Sequence, residues 1–146
     1  MKELWIFIAL ISGAILPIQA GLNARMGKSL ESPVHASIIS FAIGLAGLLI
    51  YNIISKNQIS WAGIRSAPWY AWTPGILGAF YVTAIIMAFP RIGAALTFGL
   101  VVAGQMLIAI LLDHFNVLVA QQHSMNIWRF FGVMLIIAGV IIIRKF

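Results

Sequence analysis

The chain has 146 residues, 62% hydrophobic and 8% charged, with nine Lys and Arg against three Asp and Glu and a net charge of +6. At a mean hydropathy of +1.05, a soluble domain of this length could not hide so much apolar surface. The length fits one compact membrane bundle and leaves no room for a separate soluble domain. A pI near 10.4 in a soluble protein would point to nucleic acid. Here the bases stand singly at the ends of apolar segments, where headgroups lie, with no basic cluster interleaved with surface aromatics, so nucleic acid is not an expected partner. The absence of cysteine excludes a disulfide framework, a thiolate metal site and a thiol nucleophile.

A helix needs about 20 apolar residues to cross the hydrocarbon core. Five such runs predict a single all-α, five-helix transmembrane domain, with helices at roughly 3–25, 33–54, 68–89, 93–112 and 127–143. The first run follows Lys2 and resembles a signal peptide. Ile18-Gln19-Ala20 lacks a small residue at both cleavage positions, so it is read as a retained helix. A β-barrel is excluded, because the runs lack polar alternation and are about twice the strand length.

Pro17 in the first span cannot donate to the Gly13 carbonyl, which predicts a kink there. Gln19 and Asn23, four residues apart, share a face. Two amides beside a flexing point at Pro17 and Gly13 suit a substrate path. Interhelical hydrogen bonding accounts for the same residues equally simply. Gly21 to Gly27-Lys28-Ser29 imitates a phosphate loop, but five residues separate the glycines where the motif needs four, and no strand precedes them. Arg25, and Arg91 between the third and fourth spans, are interfacial cations that snorkel to headgroups or together attract an anion.

Arg91 and Ile92 are nearly all that separates the third and fourth spans, which predicts a tight antiparallel hairpin. Gln105 lies near the middle of the fourth span. An amide there is costly unless paired, so it faces a cavity or pairs with its own copy across a two-fold axis. Gly99-x-x-x-Ala103, Gly75-x-x-x-Ala79 and Ala9-x-x-x-Gly13 have the small-residue spacing of close helix contacts. Asp113 ends the fourth span, where it serves either as a coupling carboxylate or as the partner of Arg91 or Arg129. His35 and His123 have no metal-ligand spacing. There is no plausible Ser–His–Asp arrangement, so neither enzymatic chemistry nor a cofactor is expected.

The longest connections are Ser55–Ala67 and Asp113–Asn126. Trp61, Trp69, Trp72 and Trp128 lie in or beside them and Trp5 lies near the amino end, the pattern of an interfacial aromatic belt. Lys2, Lys56, Arg65 and Arg129 fall on the amino-terminal face, and Arg25, Lys28, Arg91, Arg144 and Lys145 on the other. Orientation follows the Lys/Arg bias near span ends, and four against five is almost no bias. By one charge the carboxyl-terminal face is the cytoplasmic one; the alternative is a chain inserted both ways.

Several local sequences together resemble the YdcZ family of the drug/metabolite transporter superfamily. They are Gln19-Ala20-Gly21-Leu22-Asn23-Ala24-Arg25, Ser32-Pro33 followed by Ala36-Ser37, Arg91-Ile92-Gly93-Ala94-Ala95, Gly104-Gln105 and Asp113-His114-Phe115. Asn116 follows where glycine would be expected. The resemblance implies a five-helix inner-membrane unit, half of the superfamily's ten-helix transporters, which consist of two inverted five-helix halves. It supplies no substrate, and this chain has no carboxylate in the middle of its first span. The expected function is export of a small metabolite or amphiphile by alternating access. The partners would be the lipid bilayer, the solute and a second copy, antiparallel, or a paired homologous chain. A dual-topology ion channel and a structural or lipid-interacting subunit are the rival readings.

Overall fold

A computed structural model of the chain describes residues 2–56 and 60–146. Residues 57–59 of the Ser55–Ala67 connection lie outside the described ones. The elements in order are α1 (Lys2–Ser29), α2 (Pro33–Ile54), α3 (Trp61–Ser66), a 3₁₀ turn (Trp69–Trp72), α4 (Pro74–Ile92), α5 (Ala94–Phe115) and α6 (Ile127–Lys145). There is no strand among the described residues. Five helical stretches are long and apolar enough to cross a membrane: α1, α2, α5, α6 and the combined Trp69–Ile92 stretch. Only 6–11% of each stretch is buried, which leaves most of their apolar surface to lipid or to other protein.

Local chemistry sets most helix ends. Ser32 caps α2 by accepting from the His35 N–H at 3.2 Å, with Pro33 at the first helical position, where its missing N–H costs nothing. Asn126 caps α6 in the same way through the Arg129 N–H at 2.9 Å. The third span departs from the expected start at Pro68. Pro74 has no N–H to bond back into the preceding turn, so Trp69–Trp72 closes separately as 3₁₀ and the α-helix proper starts at Pro74. The first helix runs unbroken through Pro17 and past Arg25 to Ser29.

The α1 terminus is a Schellman turn. The Ser32 N–H reaches the Gly27 carbonyl at 3.0 Å and the Glu31 N–H reaches the Lys28 carbonyl at 3.3 Å, with Glu31 at φ 53°. Asn116 builds the same turn after α5. It is left-handed at φ 55° and ψ 41°, and the Val117 N–H meets the Leu112 carbonyl at 2.9 Å. Asn tolerates this conformation, so the turn forms without the glycine expected there. Glu does not tolerate it well. Glu31→Gly should therefore raise stability by about 0.5–1 kcal/mol and Glu31→Val lower it by about 1–2 kcal/mol, read by denaturant titration in detergent micelles.

The chain divides into two compact units, Met1–Arg91 and Ile92–Phe146. In the first unit a seam of small residues lets α1 and α2 approach closely. Ala20, Gly27 and Ala36 are all buried, and Ala36 is 0% exposed. A Cβ on Gly27 would meet Ile86 Cγ2 at 3.1 Å and Ala36 Cβ at 3.6 Å, so α4 closes on the same point. Ser37 donates to the Pro33 carbonyl at 3.0 Å and lies 2.8 Å from Thr83 Oγ1. Since the Ser37 proton is engaged, Thr83 donates to Ser37. In the second unit α5 and α6 pack antiparallel. A Cβ on Gly99 would lie 3.2 Å from Val140 Cγ2, and Thr97, Ile110, Val133 and Val140 are the buried residues of the two helices. Of the three small-residue pairs, only the one at Gly99 marks a close contact. A Cβ on Gly13 or Gly75 would meet nothing within 4 Å in this chain.

Candidate functional site

In the first unit a cleft of about 600 Å³ opens beside α1. Gln19 lines it from α1, and Ser40, Phe41, Gly44, Leu45 and Leu48 line it from two turns of α2. Val82 of α4 closes one side. The volume lies within the range of small-molecule sites. The Gln19 side chain is exposed to this space and makes no hydrogen bond to another described residue. A carboxamide has two donors and an acceptor to offer.

Asn23 is treated differently. It is buried, and its Nδ2 donates to Ser40 Oγ at 3.1 Å. It ties α1 to α2 and does not line the cleft. Because the Ser40 oxygen accepts from Asn23, the Ser40 hydroxyl keeps its proton for whatever occupies the cleft. The two amides thus share a helix face and divide the work. One fixes the wall and the other faces the space.

Pro17 is half-buried and Gly13 exposed on α1. Arg25 is exposed at the interfacial end of α1, and the Arg91 guanidinium turns back onto the Met87 carbonyl of its own helix. No described residue bonds both arginines. Sequence reasoning missed Ser40, Gly44 and Leu45. In a run as apolar as α2 the only signal was Ser40 itself, a hydroxyl with no structural task visible in the sequence.

In the second unit Gln105 is exposed on α5. Asp113 pairs with Arg129, Oδ2 to Nη2 at 3.0 Å, with both side chains about a quarter exposed (26% and 29%). The other terminal nitrogen, Nη1, donates to the His123 carbonyl at 2.7 Å. His114 holds the same loop from the α5 side. Its carbonyl accepts from Gln122 Nε2 at 2.9 Å, and its Nδ1 accepts from the Met125 N–H at 3.2 Å. A double-mutant cycle with Asp113→Asn and Arg129→Gln should give a coupling energy of about 1 kcal/mol, the upper end for partly exposed pairs. Among the described residues no group of three or more His, Cys, Asp and Glu is placed to hold a metal ion.

Residues 4–142 match the family described as "Putative inner membrane exporter, YdcZ". The chain is also 24% identical over 151 residues to the inner membrane protein YdcZ of Escherichia coli (strain K12), with 99% of this chain and 97% of the relative covered. No solved structure matches the chain. The protein therefore belongs to the YdcZ family of the drug/metabolite transporter superfamily, as a five-span inner-membrane protein of the transporter class.

Proposed function

We propose that the protein exports a small solute by alternating access, as an antiparallel homodimer whose two copies supply the inverted halves of one transporter. The cleft beside Gln19 carries the reading. It is a ligand-sized space on a membrane-spanning helix pair, and it holds a hydrogen-bonding amide with no structural partner. Five spans make half of a ten-helix transporter, and four cations against five on the two faces let one chain insert both ways. Gln105 suits either a wall of the path or a pairing with its own copy at the two-fold axis. Gly13 and Pro17 supply a place for α1 to flex, and Asn23 and Ser40 hold the wall in register. Transporters built from inverted repeats bind at such a midplane interface and rock about it.

The chain contains no cysteine, so single-cysteine variants report accessibility cleanly. A thiol reacts as thiolate and therefore needs water. Leu45→Cys in the cleft should react with methyl methanethiosulfonate at least about tenfold faster than Ile43→Cys, which is exposed on α2 but outside the cleft. Equal rates would remove the cleft as a path. Topology reporters fused at Phe146 should give signal from both sides of the membrane, and signal from one side alone would rule out the antiparallel homodimer.

A further inference from the structure

We infer that the solute occupying this cleft is an uncharged amphiphile, an aliphatic body carrying one amide- or hydroxyl-type group, and that organic ions are excluded. The inference rests on the reading of the cleft as the substrate path and concerns only what the path accepts.

No charged side chain lines the cleft among the described residues. On α1 the nearest cation in sequence is Arg25, six residues beyond Gln19, or about 9 Å along the helix axis. The helix α2 has no Asp, Glu, Lys or Arg along its whole length. On α4 the only charge is Arg91, nine residues past Val82, about 14 Å along the axis. It is also committed to the Met87 carbonyl. Water in the empty cleft can solvate a thiolate on its wall, but an ion that fills the cleft displaces that water and finds no counter-charge, and an unpaired charge in such surroundings is strongly disfavoured.

A neutral polar group is provided for. Gln19 offers donors and an acceptor, and Ser40 offers the proton that Asn23 leaves free. Around these two groups the walls are apolar, namely Phe41, Leu45, Leu48 and Val82. Gly44 leaves the space open opposite them, since a Cβ there would meet nothing within 4 Å. One polar anchor in an otherwise apolar cavity selects a molecule with the same division.

The test compares three eight-carbon probes, octanamide, octanoate and octylammonium, on full-length Leu45→Cys protein in lipid nanodiscs. Each is scored by how far it slows methyl methanethiosulfonate labelling. Octanamide should slow labelling about tenfold and the two ions should leave it unchanged. Gly44→Leu, added to the same protein, fills the cleft from an unobstructed position and should abolish the protection. Ala42→Cys repeats the measurement from another lining position in case Leu45→Cys disturbs binding. Protection by either ion would overturn the charge selectivity while leaving the path reading intact. Absence of protection by all three probes at both positions would overturn the amphiphile class. Protection that survives Gly44→Leu would place the octanamide site elsewhere and overturn the inference. A cysteine that fails to label at all strikes at the path reading itself.

Discussion

Gly27→Leu should be the most destabilising single substitution in the first unit, by about 3 kcal/mol, the upper end for overpacking. Three helices meet at this glycine. A Cβ alone would already sit 3.1 Å from Ile86 Cγ2 and 3.6 Å from both Ala36 Cβ and the Pro33 backbone. Pro33 opens α2 and cannot shift without breaking the Ser32 cap, so relief must come from separating α1 from α2. Gly13→Ala is the matched control. Its Cβ would meet nothing, and alanine is the better helix former by about 0.5–1 kcal/mol. Stability should therefore rise slightly at Gly13 and collapse at Gly27. Denaturant titration followed by far-UV circular dichroism distinguishes the two, and a Gly27→Leu protein as stable as the parent would mean that the seam is not what holds the helices together.

Gln19→Leu should weaken octanamide protection of Leu45→Cys about tenfold while leaving stability unchanged. Losing one net hydrogen bond to the ligand costs about 1–1.5 kcal/mol, and the Gln19 amide supports nothing else in the fold. Asn23→Leu should do the reverse. It removes the bond to Ser40 from a buried position, at a cost of about 1 kcal/mol for a hydrogen bond between membrane helices. Octanamide protection should change by less than about threefold, since Ser40 remains. If Gln19→Leu destabilises the protein and leaves protection intact, the amide is structural and the division between the two side chains is wrong.

Hydropathy alone located the five spans, because about 20 apolar residues in a row have few other uses. The caps at Ser32-Pro33 and Asn126 follow from the residue types. The packing faces were much less legible. In water the buried face of a helix is the apolar one, but in lipid every face is apolar, and close contact is set by side-chain size and shape. Glycine and alanine recur along all five spans, so spacing could not separate Gly99, where an added Cβ would meet α6, from Gly13 and Gly75, where it would meet no other part of the chain. Gly27 drew notice only within a failed phosphate-loop pattern, yet it is the most tightly enclosed glycine of the first unit. Asn23 and Gln19 were legible as a pair, and their different tasks depend on Ser40, which lies 17 residues beyond Asn23 and bonds only one of them.

The tryptophans bear on how all of these measurements are made. Trp5, Trp61, Trp69, Trp72 and Trp128 are each 59–80% exposed and lie at or near the ends of spans. None sits in the seam at Gly27 or beside Val140. The intrinsic emission of this protein is therefore a depth gauge for the bilayer surface, to be read by quenching with lipids brominated at known positions. It should stay nearly constant while the helices come apart. A fluorescence melt would report a protein that scarcely unfolds, and only a backbone signal would follow the loss of packing.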